Sequence, residues 1–484
     1  MSITAPLREL HGKRLIGYSL GELGITLPNL FTGIFIFQYY VYTINLNALL
    51  VSVGVTVQLI LGAIIGIIFG VIIDNKKPTR FGKRRPFLLI GLPVWFITTI
   101  LVWFPPLCPP DNSYYFPTAF FFWGISIVRA IFRALLYNVY TSMLPEQSQT
   151  LKNREKVASL RSAFSIVASI LALLLPIIVQ SLLNDPTTVK WWETSGRILL
   201  FYIPFIAIIF SIFGLVTVII VYISVDESFH NRNSNLIYEK TKIVDAFMRM
   251  AIPIKDKNFV KLMISGFFIG VSGKIVGLLV FPFQTYLMGF QSSQFYIYVL
   301  ISTFGKFGWF FIWKQILKKN HILNSYVICI MLAGLTSFLD VFFFIKELPF
   351  GIELILYTVS WSTVLGSMYS YPLFSIPIMA SLVHEAAENE EALNIDTSMA
   401  KISGSYYGLQ TFVRSMGPAF ASLFVGSILS GPNEENPFAI AILFISIGFF
   451  YLIAFGIVRR IKLSKDSYYN RNFVEKDKVS LELV

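Results

Sequence analysis

Hydrophobic positions along the chain fall in long unbroken runs separated by short polar stretches. Twelve such runs cover approximately residues 15–43, 48–73, 86–106, 116–144, 157–183, 197–225, 259–289, 294–317, 325–345, 350–383, 404–429 and 437–458. A helix rising about 1.5 Å per residue needs roughly 20 apolar residues to cross a bilayer, and each run is long enough. Lipid offers backbone groups no hydrogen-bond partners, so spanning segments must be helices or closed barrels, and runs of this length select helices. The pattern predicts an all-α membrane protein with twelve transmembrane helices in two six-helix bundles. The longest polar interruption, 226–258, divides an N-terminal bundle (1–225) from a C-terminal bundle (259–458), and 459–484 forms a polar tail. Within that interruption LIYEKTKIVDAFMRM sets Leu236, Ile243, Ala246, Phe247 and Met250 near one face at helical spacing, which predicts an interfacial helix on the membrane surface.

Composition agrees, with 55% hydrophobic and 14% charged residues and a mean hydropathy of +0.68. Lys and Arg crowd the N-terminus, the even-numbered loops and the C-terminal segment, whereas the opposite loops carry Lys190 and Lys346 alone. By the positive-inside rule both termini are expected in the cytoplasm of a cell-membrane protein. The net charge of +12 then reflects basic loops beside anionic lipid headgroups, and nucleic acid is not an expected partner. The first apolar run is too long for a signal-peptide core and should remain as an anchor. Cys108 in an outer loop and Cys329 within a span are not expected to pair. No metal-ligand cluster, nucleotide-binding loop or nucleophile–base constellation stands out, and His11, His230, His321 and His384 all fall in cytoplasmic segments. A non-enzymatic protein without cofactor or metal, unable to use ATP by itself and acting as a monomer, is expected.

Two short matches point to internal repetition. SMLPE (142–146) closes span four as SLVHE (381–385) closes span ten, and Leu160-Arg161-Ser162 on span five is echoed by Val413-Arg414-Ser415 on span eleven. Parallel repeats of this kind place a substrate site near the bilayer midplane. The loop GVIIDNKKPTRFGKRRPFLLIG (70–91) sets Asp74 at the end of span two, Gly82 for a tight turn, and Lys83, Arg84 and Arg85 before Pro86 opens span three. The basic cluster is a topology determinant, and with Asp74 it forms a turn able to act as a gating latch.

This loop resembles the signature of the major facilitator superfamily. Its spacing and its RFGKRRPF run resemble the glycoside-pentoside-hexuronide:cation symporters and the related sucrose transporters, as do SMLPEQSQTLKNREKVASLRSAFS (142–165) and LVHEAAEN followed by SGSYYGLQTFVRSMGPAFASLFVG (403–426). The resemblance runs nearly end to end and implies a cation-coupled sugar carrier of the melibiose permease type. It implies that the sugar-binding acidic positions of spans one and four fall on Thr26 and Tyr137, and that the basic residue opening span five is Arg161. The aspartates that serve the coupling ion on span two fall on Gly62 and Gly66, which puts sodium in doubt and favours a proton. The span-eleven lysine falls near Ser415, beside Arg414. Gly62, Gly66 and Gly70 recur every four residues and are expected to form a strip for close helix packing.

Charge inside the spans adds chemistry of its own. Arg129, Arg133, Arg161, Lys274, Lys306 and Arg414 face only Glu22, Asp340 and Glu353, and each charge at a span centre costs about 2.5–3.5 kcal/mol on insertion scales. The excess asks for a negative partner outside the chain. Arg129 and Arg133, four apart, share a helix face and can hold one anion bidentately. Asn29, Trp361 and Gln410 complete the expected substrate set, with Tyr369, Tyr371 and Tyr407 as further aromatic or hydroxyl candidates. The structural alternatives are that Arg133 pairs with Asp74 or Glu22, and that Arg161 and Arg414 extend to the interface. Glu22 is either the proton-coupling carboxylate or a fixed counter-ion for Arg133 or Arg161. The expected function is secondary transport of a sugar, glycoside or acidic sugar derivative with a proton. The rivals are a carrier of lysophospholipid-type anionic lipid and a transport-inactive sensor on the same fold.

Overall fold

The structure, a computed structural model, describes residues 8–77, 79, 82–148, 151–183, 185–227, 242–290, 294–344, 349–389 and 395–463. Among these, each of the twelve predicted spans is helical: α1 Gly12–Gln38, α2 Ala48–Asn75, α3 Arg85–Leu101, α4 Phe116–Gln147, α5 Leu151–Ser181 and α6 Thr194–Ser224. After a short α7, Ile243–Met250, follow α8 Lys257–Pro282, α9 Phe295–Lys319, α10 Ile322–Ser337, α11 Phe350–Asn389, α12 Ile395–Ile428 and α13 Pro437–Val458. Eight helical segments of the described residues are long and apolar enough to cross a membrane on length and composition alone, and α3 is a shorter apolar helix. α7 covers the end of the predicted interfacial helix, with Val244 and Met248 exposed. Leu236 lies outside the described residues.

Two compact units emerge from the packing. One comprises Met1–Ile243 with Val280–Val299 and Ser422–Asn436, the other Val244–Leu279, Leu300–Ala421 and Pro437–Val484. In the first unit, small residues let α1 lie close to α6. A Cβ added at Gly17 would meet Ser224 Oγ, and one at Gly24 would meet Thr217 Oγ1, both far inside contact distance. The expected strip on α2 behaves differently. A Cβ at Gly62 or Gly66 would make ordinary contact at 3.9 or 3.7 Å and one at Gly70 would meet nothing within 4 Å, so these glycines leave α2 smooth without clamping a neighbour.

The repeat suggested by sequence has a structural counterpart. α1 ends in a π-helical turn, Tyr39–Thr43, and α8 ends in another, Phe283–Leu287. Each turn is followed by a residue with left-handed backbone, Asn45 (φ 69°) and Gly289 (φ 61°). The closing hydrogen bonds correspond too: Leu46 N donates to Tyr40 O as Phe290 N donates to Gln284 O. In this register Glu22, Thr26 and Asn29 of α1 correspond to Gly266, Gly270 and Gly273 of α8.

A polar tie within the first unit involves Lys190, one of the two cations on its side of the sequence pattern. Its Nζ lies 3.8 Å from Glu434 Oε2 and donates to Val41 O at 3.3 Å, while Tyr42 OH donates to Glu434 O at 2.8 Å. Burial pushes the Glu434 carboxyl up to about 7, against the opposing pull of Lys190 and with a smaller upward push from Glu435. The folded state therefore favours the protonated acid. Its stability contribution is complete below pH about 4.5, the ordinary value, and is lost as pH rises through about 7. Melting curves of purified protein should fall in midpoint across that window, and E434Q should flatten the fall. Parallel curves for the two proteins would contradict this assignment.

Candidate functional site

Three helices of the first unit converge on Arg129. The side chain sits on α4 at 5% exposure. Its Nη1 donates to Asn29 Oδ1 on α1 at 3.3 Å and its Nη2 to Gln58 Oε1 on α2 at 3.5 Å, while the buried Nε has no acceptor among the described residues. Asn29 is oriented by its own Nδ2, which donates to Ile25 O. Both acceptors are neutral amides, so the guanidinium is solvated but not neutralised. Arg133, one turn further along, is exposed, and so is Tyr137.

Glu22 meets Arg161. Nε and Nη2 of Arg161 donate to the same Glu22 Oε2 at 2.9 and 2.6 Å, and Thr26 Oγ1 donates to Oε1 at 3.1 Å. The guanidinium lies over the Tyr140 ring, 4.7 Å from its centroid, and the Tyr18 ring stacks on Tyr140 with centroids 5.0 Å apart. Of the counter-ion alternatives for Glu22, the structure selects Arg161 over Arg133.

The second unit holds a cavity of about 300 Å³ between α8, α11 and α12, lined by Lys274, Tyr371 and Arg414 together with Gly266, Gly270, Gly273, Met368 and Pro418. Arg414 lies over Tyr371 at 5.5 Å and Lys306 over Tyr369 at 4.5 Å. Trp361 departs from expectation. It is fully buried between Tyr357 and Phe444, at ring distances of 5.4 and 4.8 Å, and it is a core residue rather than part of a binding surface. Gln410 is half-buried. Asp340, also buried, accepts from Ser360 Oγ at 2.8 Å and pairs with no cation among the described residues.

Residues 17–433 match the family described as MFS/sugar transport protein. The chain belongs to this family. It is an all-helical membrane protein of the major facilitator fold. An uncharacterised symporter of Synechocystis is 26% identical over 212 residues, a match that covers 41% of this chain and 36% of that relative, so the chain spans about a third of the relative's length. Among solved structures, the nucleoside transporter NupG superposes with a TM-score of 0.60 at 13% identity, covering 93% of this chain and 100% of that one. The xylose transporter XylE from E. coli gives 0.60 at 14% identity, covering 93% and 96%, and a D-xylose-proton symporter gives 0.57 at 15%, covering 91% and 96%. Likeness at such identities establishes the fold alone.

In the transporter's signature loop, Gly82 adopts φ 102°, where an L side chain is strained, and Thr79 and Gly82 exchange backbone hydrogen bonds at 2.9 and 2.8 Å. The carboxylate that organises this turn is Glu227, just beyond α6. It accepts from Arg84 N at 3.0 Å and Arg85 N at 3.2 Å and is 1% exposed. The Arg84 side chain donates to Ser142 O, and Arg85 lies 4.1 Å from the Tyr222 ring centroid. These contacts all lie within the first unit. The Asp74 side chain lies outside the described ones.

Sequence reasoning missed Gln58, Tyr18, Tyr140 and Glu227. Gln58 had a signal, as the one amide within span two. The tyrosines were hidden by an aromatic content of 16%, and Glu227 by its distance along the chain from the turn it holds.

Proposed function

We propose that the transporter is a proton-coupled symporter that moves a sugar, a glycoside or an acidic sugar derivative of hexuronide type by alternating access, with both termini cytoplasmic. One observation carries the reading. Arg129 is buried deep in a span with neutral amides as its acceptors, an arrangement that leaves a cation's field available to a substrate oxygen or carboxylate. Arg133 and Tyr137 follow on the same helix, and Lys274, Lys306 and Gln410 are the second unit's candidates. Protons are preferred over sodium because Gly62 and Gly66 carry no side-chain oxygen where the family's ion ligands fall, whereas Glu22 is a carboxylate within bonding reach of two helices' polar groups. The gating role of Asp74, Gly82, Arg84, Arg85 and Arg414 belongs to the same proposal.

Proteoliposomes loaded with purified protein provide the test. A pH gradient should drive accumulation of labelled glucuronide, and a sodium gradient at constant pH should not. Uptake of lysophospholipid in place of glucuronide would transfer the cargo to an anionic lipid, and saturable binding without flux would make the protein a sensor.

A further inference from the structure

Superposing the two repeats by sequence register exposes an asymmetry at one position. In the first unit, Arg161 near the start of the fifth span is neutralised by Glu22. The matching basic residue of the second unit is Arg414, and in the register set by the paired π-helical turns the matching partner of Glu22 is Gly266. The register holds elsewhere. Arg129 rests on Asn29 in the first unit, and their counterparts Met368 and Gly273 are likewise adjacent, a Cβ on Gly273 coming within 3.0 Å of Met368 Cε.

Where the first unit places a carboxylate, the second leaves the cavity of about 300 Å³, a size at the lower end of small-ligand pockets. Its lining includes Lys274 and Arg414 and no acidic residue. Among the described residues Arg414 pairs with no carboxylate, and its ring partner Tyr371 turns a hydroxyl toward Gly266. Gly266, Gly270 and Gly273 add no side chain to the α8 wall, which Ile269 and Lys274 otherwise line, and Met368 and Pro418 close the apolar remainder. A planar guanidinium, an ammonium and a phenol around a space of this size suit one carboxylate on a body no larger than a monosaccharide.

We infer that the cavity between α8, α11 and α12 is a binding site for a monosaccharide-sized carboxylate, which occupies the place that Glu22 fills in the first unit. The inference rests on the acidic-substrate reading above, and the experiment separates the two.

The probe is D-glucuronate, with D-glucose as the neutral control, in thermal-shift titrations of purified R129M, a background that removes the buried guanidinium of the first unit that rests on neutral amides. Glucuronate should stabilise R129M in a saturable manner and glucose should not. Adding G266E places a carboxylate beside Arg414. A Cβ there meets only the Tyr371 hydroxyl, at 3.1 Å, which must give by a few tenths of an ångström. The variant should occupy its own site, weakening glucuronate about tenfold or more while raising the ligand-free melting temperature. R414Q, which adds no volume, should weaken glucuronate similarly without that rise. Absence of glucuronate-specific stabilisation in R129M, or titrations unchanged by both G266E and R414Q, would overturn the site. Either result leaves glucuronide uptake by the unaltered protein to judge the transport reading separately.

Discussion

Replacing Arg129 with methionine is expected to lower uptake of an acidic sugar at limiting concentration about a hundredfold or more, while making the protein more stable to heat. The two effects share one cause. Hydrogen bonds from a charged donor contribute about 1.5–3 kcal/mol each, so losing two to a substrate carboxylate costs a factor of about a hundred or greater. In the empty protein the same guanidinium is a cation deep in a span, an arrangement costing about 2.5–3.5 kcal/mol on insertion scales. Its bonds to Asn29 and Gln58, at 3.3 and 3.5 Å, are long and lead to neutral groups. Methionine fills much of the same space and removes that cost. Uptake and melting temperature measured on one preparation decide the matter. A variant that melts earlier yet transports normally would make Arg129 a structural tie between α1, α2 and α4.

The opposite stability effect is expected at Arg161. This cation has a built-in carboxylate, and removing one member of such a buried pair strands the other at a cost of about 3–5 kcal/mol. R161M and E22A should each melt well below the unaltered protein, and the double variant should recover much of the loss because no charge is left without a partner. E22Q distinguishes structure from coupling. The amide keeps a carbonyl for Thr26 or Arg161 but cannot titrate, so accumulation driven by a pH gradient should vanish while exchange of substrate across equal pH persists. Accumulation retained in E22Q would remove Glu22 from proton coupling and leave it a counter-ion alone.

Local pattern was enough for some features of this transporter. Unbroken apolar runs dictate helices because lipid leaves backbone groups no other partner, and the helices α1 to α6 and α8 to α13 follow those runs to within a few residues at most ends. Gly82 was legible as a turn because it is a glycine in the short polar loop between two spans, free of the Cβ that disfavours a left-handed backbone, and it has one. The excess of cations within spans was visible as a count.

Which cation is neutralised could not be read from a count. Arg129, Arg133, Arg161 and Arg414 look alike along the chain, and their difference arises where separate helices meet. Glu22 comes within 2.6 Å of Arg161, amides from α1 and α2 reach Arg129, and a cavity lies beside Arg414. The same holds for the glycines, since Gly17 and Gly24 press on α6 whereas Gly62, Gly66 and Gly70 press on nothing closely, though both sets are spaced at helical intervals. Secondary structure and span number follow from the solvent each segment must face, a property of the segment itself. Charge pairing and helix contact depend on residues far apart along the chain, 71 positions for Arg129 and Gln58 and 139 for Glu22 and Arg161, and only the packed chain brings those together.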